Sequence, residues 1–151
     1  MTRVFCREAT EITPVDIAEL LHAAGLPVVP HFRGDDLGWT AGTLTLPGPG
    51  SPIDLERFLT KEDELRPQLN AFAGELETMD YSPNNVPLMQ HVIQTQQLVA
   101  IRRPLDHPND AQLDTLAVTL ARHLAATCDG VYQIDGEGWF AADGTELLAE
   151  H

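Results

Sequence analysis

The sequence predicts an α+β fold: a mixed or antiparallel sheet packed by about three helices in a two-layer sandwich. Three observations predict it. Strand-like and helix-like patterns follow one another in irregular order, which favours an α+β sandwich over a doubly wound parallel sheet. Apolar residues between Asn109 and Asp129 recur at helical period. Two phrases, Gly38-Trp39-Thr40-Ala41-Gly42-Thr43-Leu44 and Gly138-Trp139-Phe140-Ala141-Ala142-Asp143-Gly144-Thr145, resemble each other and hold both Trp residues. Each follows an acidic loop (Asp35-Asp36; Asp135 and Glu137) and an upstream amphipathic helix, an order that suggests two β-α-β-β units. The competing account is coincidence, because Gly, Trp and Thr are common where hairpins begin.

Arg3 to Glu8 read as a first strand. Thr13 then offers a helix cap, Pro14 suits the first helical position, and Asp16 stands where a capping-box acid would. Ile12 and Ile17 are spaced as a hydrophobic staple. Ile17, Leu20, Leu21 and Ala24 form the apolar stripe, and Gly25 supplies a left-handed stop. Residues 27–33 read as a strand that Pro27 and Pro30 place at an edge. After the turn Arg33-Gly34-Asp35-Asp36, residues 38–46 alternate, with Trp39, Ala41, Thr43 and Thr45 on one side and Leu44 and Leu46 on the other. Pro47 to Pro52 form a loop, and Ile53 to Phe58 a further strand.

Thr60 reads as the cap of a second helix, with Glu62, Asp63 and Glu64 in its first turn. Its apolar face is Leu65, Leu69, Phe72, Ala73 and Leu76, and Pro67 is expected to kink or split it. A short helix near Val86–Gln96 follows, with Met89, Val92 and Ile93 inward and Gln90, Gln94 and Gln97 outward. Leu98 to Arg102 read as a buried strand. Asn109 and Gln112 have capping-box spacing ahead of Leu113, Leu116, Ala117, Leu120, Ala121 and Leu124, and Asp129-Gly130 ends that helix. Val131–Ile134, Trp139–Ala141 and Glu146–Leu148 are hairpin strands around two Asp-Gly turns. Paired β-α-β-β-β modules also build metal-chelating barrels. A barrel of that kind would need inward His and Glu on its strands, and these strands offer almost no His.

The 151 residues have the size of one domain, 1–151. A hydrophobic content of 43% is enough for a core. Cys6 and Cys128 sit in no recognisable framework, which fits a reducing compartment. No apolar run follows Met1, no segment is apolar for long enough to span a bilayer, and the expected location is cytoplasmic. Net charge is −14, from 23 acids against nine bases. After Pro104, nine acids stand against Arg122 alone, a net of −8. Nucleic-acid binding needs Lys and Arg to neutralise phosphate, so no DNA or RNA partner is expected. Lys61 is the only lysine, a bias that a GC-rich genome would also produce.

Chemistry-bearing motifs are few. Asp135, Glu137 and Glu146 fall at positions one, three and twelve of a calcium loop, but Trp139 and Phe140 occupy the positions where a ligand and the turn glycine belong. His22, His91, His107 and His123 lie on separate elements, and neither Cys-x-x-Cys nor His-Glu-x-x-His occurs, so no metal and no cofactor are expected. There is no Gly-x-Ser-x-Gly elbow, and Ser51 and Ser82, the only serines, sit beside prolines. A Cys/His pair using Cys6 would need a distant His, and a buried structural thiol is the simpler role for Cys6 and Cys128. Arg102-Arg103 is the only adjacent basic pair, and surface ion pairing is its simplest use.

Aromatic rings beside carboxylates can recognise a cationic ligand. Asp35, Asp36 and Trp39, and Asp135, Glu137 and Trp139, are therefore the candidate binding residues, against the simpler account in which each Trp anchors a hairpin and each acid solvates a turn. The function this suggests is non-enzymatic: a small acidic protein that binds a basic protein partner, as an immunity-like protein binds a toxin or as an interaction module does. The alternative is a small hydrolase or metal-dependent enzyme using scattered His and carboxylates. Oligomeric state is not encoded in any pattern seen.

Overall fold

The computed structural model describes residues 1–60 and 65–151. The described elements are β1 (Thr2–Cys6), α1 (Pro14–Ala23), β2 (Val29–Asp35), β3 (Gly38–Thr45), β4 (Ile53–Leu59), α2 (Leu65–Thr78), α3 (Asn85–Ile93), β5 (Gln97–Arg102), α4 (Asp110–Thr127), β6 (Gly130–Ile134), β7 (Gly138–Ala141) and β8 (Glu146–Ala149). The fold is α+β. Its eight strands form one antiparallel sheet in the order β2-β3-β4-β5-β1-β6-β7-β8. β2 and β8 are the two edges and do not pair with one another among the described residues, so the sheet is open and not a barrel.

Strand alternation separates two cores. In β1, Val4 and Cys6 join one cluster and Phe5 the other; in β5, Val99 and Ile101 part from Leu98 in the same way. The buried stripes of α1 and α4 belong to the first cluster, and those of α2 and α3 to the second. Helices therefore lie on both faces. Among the described residues the expected three helices become four, α1 and α4 packed in one cluster and α2 and α3 in the other, in place of the expected two-layer sandwich. The reason is that β1 and β5 are apolar on both faces and need cover on each.

β-α-β-β-β occurs twice along the chain, as β1-α1-β2-β3-β4 and β5-α4-β6-β7-β8. Their spatial orders differ. The last strand of the first unit, β4, lies beside β5, whereas the first strand of the second meander, β6, lies beside β1. The two Trp phrases consequently occupy β3 and β7 and face opposite layers: Trp39 joins the α1/α4 core, Trp139 the α2/α3 core.

Local signals account for the helix ends. Thr13 Oγ1 accepts from Asp16 N at 3.1 Å, and Pro14 opens α1. Gly25 follows at φ +79°. Asn109 Oδ1 accepts from Gln112 N at 3.0 Å to start α4. Past its end, Asp129 takes φ +51°, and Arg7 holds its carboxylate with two bonds of 2.9 Å. The expected acidic first turn of the second helix, Glu62 to Glu64, lies outside the described residues. After Pro67, α2 continues unbroken to Thr78. In α3 the inward face is Leu88, His91 and Val92, while Ile93 is half exposed, contrary to its expected placement. His91 replaces it because its Nε2 reaches Phe5 O at 2.8 Å, which satisfies the buried imidazole.

The two sheet edges differ. On β8, Tyr81 Oη donates to Ala149 O at 2.7 Å and Asn84 Nδ2 to Leu147 O at 2.6 Å, so side chains of the α2–α3 connection cover its carbonyls. β2 is exposed along most of its length and carries Pro30, which lacks a donor.

Candidate functional site

The site is built on the β2–β3–β4 end of the sheet. β3 carries a bulge: Arg33 pairs with Ala41 and Gly34 with Trp39, leaving Thr40 as the extra residue. A one-residue insertion inverts the alternation that follows. Trp39 therefore shares its face with Leu44 and Leu46, not with Ala41, Thr43 and Thr45 as simple alternation predicts.

Trp39 is 4% exposed; its Nε1 donates to Ile12 O at 2.8 Å, and its ring meets Phe32 edge-on at 5.0 Å. Its backbone N donates to Glu11 Oε2 at 2.6 Å. The turn before it is closed by Asp35 Oδ1, which accepts from Leu37 N at 2.8 Å. Beneath the turn lies Arg57, 4% exposed. Its guanidinium donates to Leu37 O at 3.0 Å, Trp39 O at 3.1 Å and Ala9 O at 3.2 Å, and to the Gln97 side-chain oxygen. Gln97 Nε2 in turn donates to Glu8 O and Thr10 O at 3.1 Å. One buried cation thus fixes the hairpin turn and the β1–α1 loop in a single arrangement.

On the opposite face the described helices leave β2, β3 and the start of β4 uncovered, while Phe58 near the end of β4 packs against the α2/α3 core. The α2/α3 core includes no residue of β2 or β3 among the described residues. The result is an open groove of about 620 Å³ lined by His31, Arg33, Thr43, Asp54, Glu56 and Arg102 together with Phe32, Ala41, Gly42 and Leu55. Arg102 reaches Glu56 at 3.9 Å across exposed side chains, a weak pair. A second concavity of about 560 Å³ shares Phe32 and Arg33 with the first and runs over Asp35, Asp36 and Leu37 to Glu11. Together they present the carboxylates of Glu11, Asp35, Asp36, Asp54 and Glu56 against the guanidiniums of Arg33 and Arg102.

The second candidate set is placed elsewhere. β3 and β7 are five strand spacings apart, roughly 24 Å. Asp135 accepts from Arg3 Nη1 at 2.7 Å and Gln133 Nε2 at 3.0 Å, with the terminal ammonium at 3.8 Å. Burial pushes its carboxyl up, but the bonds from Gln133 and Arg3 outweigh that and hold it below the ordinary range. Glu137 is exposed. Trp139 is 3% exposed, between Phe5 at 4.9 Å and Phe72 at 6.2 Å. Both indoles are core residues, so the surface near each carries acids without the ring.

The remaining chemistry-bearing side chains stay apart. His22 Nε2 lies 2.9 Å from Val28 O, His91 is buried against β1, and Ser51 donates to Asp106 at 2.8 Å. Among the described residues no three His, Cys, Asp or Glu side chains come together as a metal site. No described helix is long and apolar enough to cross a membrane. Cys6 and Cys128, remote in sequence, are brought together in the α1/α4 core: Cys6 pairs with Gly130, and Glu8 N donates to Cys128 O at 3.2 Å.

Sequence reasoning passed over His31, Arg33, Asp54 and Glu56, and read Arg102 only as half of an ion-pairing basic pair. The available signal was the alternation Ile53-Asp54-Leu55-Glu56, which marks a strand with one apolar and one acidic face. Searches against known protein families, curated proteins and solved structures each found no match.

Proposed function

We propose that the protein acts by binding a basic protein partner on the open face of β2, β3 and the start of β4 and on the adjoining turn. The observation that carries this reading is the groove the helical layers leave open, with Asp54 and Glu56 on its floor and Asp35 and Asp36 at its end. The buried Arg57 network holds the turn in one shape, so little ordering is needed on binding. A net charge of −14 attracts a cationic partner from a distance, and the groove supplies the local contacts.

The test is affinity capture at low salt with four baits: wild type, Asp54→Lys/Glu56→Lys, Asp35→Lys/Asp36→Lys, and Glu75→Lys/Glu77→Lys on the far helix α2. A basic partner kept by wild type and the α2 variant, but lost from the groove or turn variants, supports the site. Equal loss from all three variants shows that net charge alone did the binding and rejects it.

A further inference from the structure

We propose that Cys6 and Cys128 form a reversible dithiol–disulfide pair, a site of oxidation by hydrogen peroxide that ties the end of β1 to the C-cap of α4. The two residues arrive from opposite ends of the chain. Cys6 closes β1 opposite Gly130 of β6, and Cys128 caps α4 two residues before that glycine. The backbone clamps them: Arg7 N donates to Asp129 O at 3.1 Å and Glu8 N to Cys128 O at 3.2 Å. A Cβ built on Gly130 would stand 3.3 Å from Cys6 Sγ, which places that sulfur directly against the β6 backbone just past Cys128.

The surroundings are not those of two inert core thiols. Cys128 Sγ donates to Thr10 O at 3.5 Å, an oxygen that also accepts from Gln97 Nε2 at 3.1 Å. The hydrogen bond from Cys6, the bond from Gln97 and the Arg57 charge pull the Cys128 thiol below the ordinary range, against burial and Glu8. The same hydrogen bond and burial push Cys6 up. The Arg57 charge and the Gln97 amide favour Cys128 as the attacking thiolate. Both cysteines are fully buried, and the β1–α1 loop, whose Thr10 carbonyl accepts from Cys128, is exposed from Arg7 to Thr10, so a small oxidant would reach the pair through this loop.

The reaction balances in two displacements. The Cys128 thiolate attacks peroxide; an S–O bond forms, the O–O bond breaks, and hydroxide leaves to take up a proton as water. Cys6 sulfur then attacks the sulfenic sulfur; the S–S bond forms, the S–O bond breaks, and Cys6 gives up its proton as the second water departs. Two thiols are oxidised by two electrons and one peroxide becomes two waters.

The experiment uses the full chain, reduced and freed of reductant. It is exposed to hydrogen peroxide, unfolded in an alkylating reagent, and mapped with trypsin. The expected result is joint loss of both thiols and one linked product, Val4–Arg7 joined to His123–His151, lighter by two hydrogens than its reduced parts. Dithiothreitol restores both thiols. Cys6→Ala and Cys128→Ala should each abolish the linked product. The proposal is overturned if both thiols stay alkylatable under peroxide that fully oxidises the urea-unfolded chain. It is equally overturned by links only between chains, or by sulfinic acids without the linked peptide. The wild-type peptide map decides the matter even if a variant fails to fold.

Discussion

The ring of Phe32 lies across Gly42, its cross-strand partner in the β2–β3 ladder. A Cβ at position 42 would stand 2.6 Å from Phe32 Cε2 and closer still to Cδ2. The aromatic ring fills the place a side chain would take, and it packs edge-to-face with Trp39, ring centres 5.0 Å apart. That contact anchors the edge strand whose other face floors the groove.

Gly42→Ala should therefore displace Phe32 and destabilise the hairpin by about 1–3 kcal/mol. Gly74 in α2 is the contrasting case, because nothing lies within 4 Å of its added Cβ. Gly74→Ala should stabilise by about 0.5–1 kcal/mol through helix propensity. Urea denaturation midpoints at constant slope read both. A Gly42→Ala midpoint at or above wild type would remove the Phe32 contact from the account of the edge.

Leu120 is fully buried in the α1/α4 core, and Asp114 faces solvent beside Arg103. Leu120→Ala should cost about 2–5 kcal/mol. Asp114→Ala should cost less than about 1 kcal/mol, as an exposed ion pair is worth. Equal losses in the same denaturation series would contradict the assigned faces of α4.

Stability should fall on mild acidification through His91. Burial lowers its affinity for a proton, outweighing the opposing bond to Phe5 O. The folded form thus holds the imidazole neutral, while the unfolded chain protonates near pH ~6.5. The unfolded state binds more protons, so stability rises with pH in this window. It is fully present above the unfolded value and is lost as pH falls through the lower folded value. Thermal melting from about pH 7.5 to 5 should show a steeper loss for wild type than for His91→Gln, since carboxylates protonate mostly below that range. Parallel curves would assign the loss elsewhere.

Elemental analysis of tag-free protein should find well under one transition metal per chain, with a melting temperature indifferent to chelator. Stoichiometric zinc with a chelator-sensitive melt would show a site that the described residues do not reveal, because a bound ligand stabilises the native state.

Much of the fold could be read along the chain, because its signals are local. Thr13-Pro14 and Asn109 cap helices through bonds three residues away, and Leu113 to Leu124 repeat within one helix. The acidic excess is composition alone. The candidate site was legible only in part. Asp35 and Asp36 were visible as an acidic turn, but Asp54, Glu56 and Arg102 join them only when β3, β4 and β5 pair.

The sequence by itself determined the α+β class, the capped helices and the charge. Tertiary structure decided which faces those elements present. One extra residue at Thr40 inverts the alternation of β3 and buries Trp39 with Leu44. His91, not Ile93, turns inward because Phe5 O on another strand accepts its ring nitrogen. Arg57 is buried because carbonyls from two distant loops converge on it, and Cys6 meets Cys128 only through the β1–β6 ladder. The physical reason is common to all four: a capping bond or an apolar period is made within a few residues, whereas register and partnership are set by backbone groups that meet only after the sheet has assembled.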